Sequence, residues 1–352
     1  MPRALRNLIR WLIVMGCIAL LLFAGLLYVR HSVGQTLMLN EPVLYKVQPG
    51  TSAAALVRDF DNQGWLPDSR FTYRLWLKFF AADTRIKTGT YALSSDMSVP
   101  DVIALMVAGE EYQFSVRLVE GLTLDDWLVE LKAQDTLVYD ITPPVIVSLV
   151  EQWPYDESEA LPENASVSQR AEGLFLADTY YYTDGTPASA ILRRAMEAMT
   201  RFLDQQWRQR QSDLPLTSPL EVLVLASIIE KETAVASERA HIAGVFINRL
   251  RSNMRLQTDP TVIYGLGDTF DGNLTRAHLK QATPYNTYVI RGLPPTPIAM
   301  AGKPAIEAAL NPLPTDDLYF VARGDGTHVF SSTLEAHNRA VYEYQILPNK
   351  KK

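Results

Sequence analysis

Hydrophobic positions fall along this chain in three regimes: one unbroken, one periodic, and one apolar on nearly every helical face. The unbroken run is Trp11 to Val29, nineteen residues without a charge, with Arg3, Arg6 and Arg10 before it and Arg30 and His31 after it. At about 1.5 Å per residue such a helix extends roughly 28 Å, enough for the hydrocarbon core of a bilayer. Three arginines and the amino terminus on the leading side predict a cytoplasmic N-terminus and an exported remainder. A cleaved signal has a shorter apolar run and an Ala-x-Ala site, and none follows here, so a retained anchor is the preferred reading. Cys17 is the only cysteine, which excludes intrachain disulfides. Val14-Met-Gly-Cys17 faintly resembles a lipoprotein box, but the apolar run continues beyond Cys17, where a lipidated cysteine would close it.

Periodic patterning follows. Val47 to Ser52, Leu93 to Ser98 and Val119 to Thr123 each place a short β-like stretch before a turn and a Ser or Thr able to cap a helix. The helical patterns after them run Ala54 to Gly64, Val99 to Gly109 and Leu124 to Gln134, so strand, turn and helix recur as one unit. Asp68 to Ala81 predicts another helix, capped by Asp68 or Ser69, with Phe71, Leu75 or Trp76, and Phe79 as a core-facing stripe. Thr88 to Leu93 reads as a strand with Tyr91 and Leu93 on one face. Residues 135–168, with Pro143, Pro144 and Pro154, read as a connecting or lid region. Asn164-Ala-Ser166 fits a glycosylation sequon, a match common by chance.

From about Ala171 to Leu347 the pattern is that of a second domain. Ile191 to Trp207 is amphipathic, and Ser218-Pro-Leu-Glu221 combines an N-cap, proline at N1 and glutamate at N3, a capping box for the helix that follows. That helix is apolar on most faces and ends in Glu230 and Glu232. Helices Ser237 to Ser252 and Asp259 to Gly265 come next. Leu318 to Ala322 and His328 to Ser331 flank Arg-Gly-Asp-Gly-Thr as a hairpin.

Composition narrows the chemistry. A net charge of −6 with no basic stripe gives no nucleic-acid signature. The five histidines, His31, His241, His278, His328 and His337, lack metal-ligand spacing, one cysteine cannot build a thiolate site, and no nucleophile-elbow, P-loop or dinucleotide fingerprint occurs. His328, His337 and Asn338 lie where a site could recruit them, although such residues are ordinary in a hairpin and a helix. What remains is the acid pair. Leu225, Ile228 and Ile229 lie seven, four and three residues before Glu232, which continues their stripe, whereas Glu230 points about 160° away. A carboxyl at the end of an apolar helix can be held protonated, as acid catalysis of sugar-bond cleavage requires. The segments Arg255 to Pro260, Thr283 to Tyr288 and Gly292 to Ile298 supply amides, phenols and rigid turns of the kind that bind saccharides.

Taken together, Ala226-Ser-Ile-Ile-Glu-Lys-Glu-Thr233, Val245-Phe-Ile-Asn-Arg-Leu250, Met254 to Tyr264, Tyr285-Asn-Thr-Tyr288 and Gly292-Leu-Pro-Pro295 closely resemble the endolytic murein transglycosylases of the YceG-like family. The likeness extends from the apolar segment to Tyr319-Phe-Val and His337-Asn338. One departure is Ala177 in Glu172-Gly-Leu-Phe-Leu-Ala-Asp-Thr-Tyr180, where the family commonly has proline. The resemblance implies an α+β fold divided into a cytoplasmic stretch 1–10, a transmembrane helix 11–29, a LysM-like domain 30–115 carried by Tyr45 to Gly50, a catalytic domain 116–347 and a tail 348–352.

It further implies that Glu232, the second acid of Glu-Lys-Glu-Thr, is the catalytic residue, acting without a cofactor or metal on peptidoglycan strands at the inner membrane. Peptidoglycan synthases are the implied partners. Gln257, Asp259, Tyr285 and Asn286 are the candidate substrate-binding residues. Two other readings are a non-catalytic glycan-binding scaffold and a muramidase that hydrolyses; the latter needs a second carboxylate about 5 to 9.5 Å from Glu232, for which Asp259 is the candidate.

Overall fold

The computed structural model describes residues 3–81, 83–155 and 165–347, a mixed α+β chain. Its contacts divide it into two units, residues 1–114 with 182–184, and residues 115–181 with 185–352.

The first unit opens with α1 (Arg3–Val33), long and apolar enough to cross a membrane. Its last turn belongs to the folded unit: Val29, Ser32 and Val33 are buried, and the two valines join the core. Next come β1 (Val43–Val47), α2 (Ala53–Asn62), α3 (Arg70–Phe79), β2 (Gly89–Leu93) and α4 (Val99–Ala108). β1 and β2 are antiparallel, with Tyr45 opposite Tyr91. The predicted caps form as side-chain acceptors of orphan N–H groups: Ser52 takes Ala55 N–H, and Ser98 builds a capping box with Asp101. Gly109 closes α4 at φ 79°, a left-handed value that a side chain would strain.

Helix α3 differs from its sequence pattern. Its buried positions are Thr72 and Tyr73, with Trp76 and Leu77 packed against the core, whereas Phe71 and Phe79 are 69% and 64% exposed. The reason is its position. α3 packs on the end of α1 and on α2, and Tyr73 donates from Oη to Ser32 O at 3.3 Å, which fixes the rotation one residue away from the aromatic stripe.

In the second unit β3 (Phe114–Leu118, its first residue in the first unit) leads to α5 (Leu124–Lys132), capped by a Thr123–Asp126 box, and pairs with β5 (Asp178–Tyr182). The presumed connecting region instead forms β4 (Leu137–Val138), α6 (Pro143–Val150) and the start of α7 (Val167–Ala171); two prolines fit the first turn of α6, where their missing N–H groups cost nothing. Asn164 of the sequon lies outside the described residues. β6 (Thr186–Pro187) pairs parallel with β4 and enters α8 (Ala188–Arg208), whose Ile191, Leu192, Ala195, Met199 and Leu203 are fully buried.

At the centre is α9 (Pro219–Glu232), buried at every position from Val222 to Ile229, as its unbroken apolar sequence requires. Its start differs from the expected box. Ser218 Oγ accepts from Glu221 N–H at 3.3 Å, but the Glu221 carboxylate turns to Thr217. Around it stand α10 (Arg239–Arg251), α11 (Asp259–Leu266) and α12 (Lys303–Leu310). The antiparallel hairpin β7 (Tyr319–Ala322) and β8 (His328–Ser331), followed by α13 (Leu334–Val341), closes the unit.

One buried acid has a measurable consequence for this unit. Glu172 is 3% exposed; its carboxyl accepts from Leu124 N–H at 3.0 Å and from Tyr264 Oη at 3.3 Å. Burial pushes its pKa up to about 8. The folded state therefore holds a proton there that the unfolded chain releases near pH 4.5, so folding loses about 1.4 kcal/mol per pH unit as pH rises from 4.5 to about 8. Glu172→Gln, which needs no proton, is expected to flatten that decline in urea-unfolding titrations at successive pH values. The adjacent Gly173 has φ 78°, and a Cβ there would sit 2.4 Å from Pro297 Cβ, so glycine is required at that position.

Candidate active site

The end of α9 lies at a cavity of about 530 Å³ lined by Glu232, Arg249, Gln257, Thr258, Asp259, Tyr288, Tyr319, His328 and His337, among others. Its volume falls in the range of ordinary ligand pockets. Three local features build it.

The first is the helix end itself. Glu232 is the last residue of α9, and Thr233 turns to extended backbone at φ −146°. Burial pushes the Glu232 carboxyl above its ordinary range; Asp259 adds to the rise, while the Thr258 hydroxyl, His328 and Arg249 oppose it. A helix C-terminus also carries partial negative charge, which disfavours a carboxylate. The acid is thus favoured in its protonated form, with cationic neighbours at hand when it ionises.

The second is the loop between α10 and α11. Gln257 adopts φ 51°, a left-handed value unusual for a residue with a side chain. The strain is held by Gln257 N–H to Thr287 O at 3.2 Å and Thr258 N–H to Thr287 Oγ1 at 3.0 Å. Thr261 Oγ1 adds a bond to Thr258 O at 2.8 Å and lies 2.8 Å from Thr287 Oγ1. This buried threonine cluster fixes Thr258, whose hydroxyl donates to Glu232 Oε1. Next along the loop, Asp259 Oδ1 accepts from Tyr288 Oη at 2.7 Å.

The third is Arg249, a cation on the buried side of α10. Its Nε donates to Leu318 O at 2.7 Å, and one terminal nitrogen donates to Leu256 O at 2.8 Å and Arg255 O at 3.3 Å. The guanidinium also sits 5.2 Å from the Tyr319 ring centroid. One side chain thus ties α10 to β7 and to the Gln257 loop. On the hairpin, His328 Nδ1 lies 2.8 Å from Glu238 Oε2 and His328 N–H donates to Glu238 Oε1 at 3.0 Å, which orients the ring in the cavity wall. Burial and the nearby Arg249 hold the His337 pKa below the ordinary histidine value.

Of the residues singled out in the sequence, Glu232, Gln257, Asp259, His328, His337 and Asn338 share the cavity lining. Tyr285 and Asn286 do not. Tyr285 is 4% exposed, with its Oη 2.9 Å from Thr296 Oγ1 and its ring edge-on to Tyr264. Fully buried Asn286 donates to His278 O and Gln281 O and accepts Tyr288 N–H, so its amide braces the turn that carries Tyr288. Glu230 is absent from the lining too. Its side chain is 6% exposed, Oε2 accepts Gly302 N–H at 3.0 Å, and Arg239 stands 3.7 Å from Oε1. Burial raises its pKa as well, so location and not titration separates the two acids.

Glu230→Gln retains the acceptor for Gly302 and loses only the ionic attraction of Arg239. The expected result is near-normal activity and a melting temperature that holds or rises, read by calorimetry, because the raised pKa means that burying the charge costs more than Arg239 returns.

Among residues absent from the sequence candidates, Thr258 stands between two that were named, and Tyr288 ends the same turn as Tyr285. Arg249 carried a signal: it continues the stripe Ile242, Val245, Phe246, where a charge is out of place unless bonded.

Among the described residues no cluster of His, Cys, Asp or Glu could hold a metal ion. The fold finds its counterpart in known proteins. Residues 45–343 match the YceG-like family, and the chain belongs to it. An endolytic murein transglycosylase of Bacillus subtilis (strain 168) is 30% identical over 312 residues, covering 86% of this chain and 85% of the relative. A protein of the same name from Streptococcus pneumoniae serotype 2 is 29% identical over 285 residues, covering 74% of this chain and 51% of its own length. A crystal structure of a YceG-like protein from Listeria monocytogenes superposes with a TM-score of 0.51 at 30% identity, covering 85% of this chain and 99% of that one.

Proposed function

We propose that this chain is a membrane-anchored lytic transglycosylase that cuts β-1,4 bonds between N-acetylmuramic acid and N-acetylglucosamine inside nascent peptidoglycan strands. The observation that carries this reading is Glu232: an acid favoured in its protonated form, set by Thr258 and facing a cavity of phenols, an amide and imidazoles. The names of the relatives agree with it.

Glu232 gives its proton to the bridging oxygen as the muramic C1–O bond breaks, and N-acetylglucosamine leaves with a free 4-hydroxyl. The resulting carboxylate, drawn by Arg249 and His328, takes the proton from the muramic C6 hydroxyl while that oxygen bonds to C1. The product is a 1,6-anhydro end, Glu232 is protonated again, and no water is consumed. Because the nucleophile belongs to the substrate, a second enzyme carboxylate is not required. Gln257, Asp259 and Tyr288 contribute hydrogen bonds to sugar hydroxyl and amide groups.

With α1 as anchor and the N-terminus in the cytoplasm, the catalytic unit works in the periplasm on strands still near the bilayer, where it ends their growth beside the synthases that extend them. The β1–α2–α3–β2 order supports the LysM-like reading of the first unit.

Asp259 gives the hydrolase alternative one specific point, since its carboxylate shares the cavity with Glu232. Digests of purified glycan strands by wild type and by Asp259→Asn separate the two. A transglycosylase yields fragments lighter than hydrolytic ones by one water, and the Asp259→Asn enzyme still yields them at a lower rate. Fragments with reducing ends, lost altogether in the variant, would establish hydrolysis.

A further inference from the structure

We propose that α3 is a second membrane contact, an interfacial helix that seats its aromatic end in the lipid headgroup and upper acyl region beside the α1 span. The proposal rests on the anchor reading of α1.

The starting point is the set of aromatics that the fold leaves uncovered. Phe71, Phe79 and Phe80 face outward from α3 and its end, the last of them 51% exposed. Arg70, Arg74 and Lys78 recur along the helix at every fourth position, and Arg70–Phe79 contains no acid. Lys78 Nζ lies 5.3 Å from the Phe79 ring centroid, so cation and aromatic ring occupy one patch. Large apolar rings with lysine and arginine beside them are the composition of helices that lie in a membrane interface, where rings enter the acyl boundary and cations meet phosphate.

Composition alone does not name the occupant; the position does. Trp76 and Phe80 line a hollow of about 570 Å³ together with Phe23, Leu26, Leu27 and Val29 of α1. Those α1 residues belong to the uncharged run that crosses the bilayer. Phe23 lies six residues before Val29, so at 1.5 Å per residue the hollow reaches roughly 9 Å inside the outer end of that run. Interfacial helices bury their apolar face to about 5–10 Å, the same depth. If α1 spans the membrane, Phe80 and the C-terminal end of α3 are carried into the boundary with it.

Nor does a flexible linker intervene. Val29 and Val33 of α1 sit in the same core as Tyr73 of α3, and Tyr73 is hydrogen-bonded to Ser32 O. Span and helix therefore move as one body. The basic stripe matches anionic headgroups, and the rings match the acyl region. Two membrane contacts also resist rocking of the first unit about the span.

The test uses the full chain reconstituted in vesicles of phosphatidylethanolamine and phosphatidylglycerol, with a fluorophore on a single cysteine. The quenchers are nitroxide groups on the lipid chains and iodide in the water. Native Cys17, midway along the span, reports on the anchor. Cys17→Ala combined with Phe79→Cys, and separately with Phe80→Cys, reports on α3. Both substituted positions are exposed, so folding is preserved.

The expected result is quenching by lipid nitroxide at all three positions, by about twofold or more, with iodide ineffective. A probe at Cys17 quenched by lipid while both α3 probes respond only to iodide would overturn the interfacial helix and leave the anchor standing. A Cys17 probe reached by iodide and not by lipid would overturn the anchor, and the interfacial helix with it.

Discussion

Glu232→Gln is expected to abolish strand cleavage, with a loss of about 10² to 10⁴ in rate from the missing proton transfer, while the fold persists. Glutamine preserves the shape and still accepts the Thr258 hydroxyl, so the substitution removes the proton and little else. Stability should hold or rise. Burial makes the charged form of Glu232 costly, so the wild-type protein loses folding free energy as pH climbs from the ordinary value of 4.5 through the raised pKa, and the variant does not. Activity should follow the same group in a predictable direction. The reaction begins from the acid form, so wild-type kcat/KM falls as pH rises through the Glu232 pKa. Release of anhydro-ended fragments at several pH values, with melting curves on the same samples, measures both. Retained cleavage in a folded Glu232→Gln protein would reassign the acid.

The second large effect belongs to Arg249. Arg249→Met keeps the aliphatic stem but strips hydrogen bonds from the carbonyls of Leu318, Leu256 and Arg255. A buried carbonyl left without a donor costs about 1–3 kcal/mol; Leu256 O is buried and the other two are partly so, and a total of about 3 kcal/mol is expected. At about 2–4 °C per kcal/mol for a unit of this size, the melting temperature drops by roughly 6–12 °C. Activity should fall further than stability explains, because the Gln257 loop that presents Thr258 is tied through the same guanidinium. Arg249→Lys supplies one donor group where three contacts exist and should recover only part of the loss. Urea unfolding compared with activity at temperatures where every variant is folded separates the two effects.

How far the sequence reveals these features depends on which residues are asked. The place of Glu232 at the cavity was legible because helical spacing continues the Leu225, Ile228, Ile229 stripe into it and the resemblance to the family points to the same acid, and α9 is as buried as its unbroken apolar pattern requires. Caps at Ser52, Ser98 and Thr123 were legible for the same local reason: a side chain and an N–H three residues on settle them.

Tertiary choices were not. Tyr285 and Tyr288 sit three residues apart in one turn, yet the first packs on Tyr264 and Thr296 and the second reaches Asp259. No local rule predicts which phenol faces the cavity. On α3 the periodicity pointed to Phe71, Leu75 or Trp76, and Phe79; Trp76 does pack inward, but docking on α1 buried Tyr73 and left both phenylalanines outside. A helix with apolar residues on more than one face can be rotated by its neighbours, and here the discarded face is the one proposed to meet lipid. Residues 135–168 looked like a linker because proline is common in loops; in α6 Pro143 and Pro144 occupy the first turn, where they favour a helix.

The account's central claim is that the attacking oxygen comes from the sugar and not from solvent. Digestion of purified peptidoglycan strands in water enriched in heavy oxygen, followed by mass spectrometry of the fragments, tests it directly. The predicted fragments carry no heavy oxygen and end in 1,6-anhydromuramic acid, in amounts that vanish with Glu232→Gln. One heavy oxygen per cut, at a reducing muramic end, would contradict the claim.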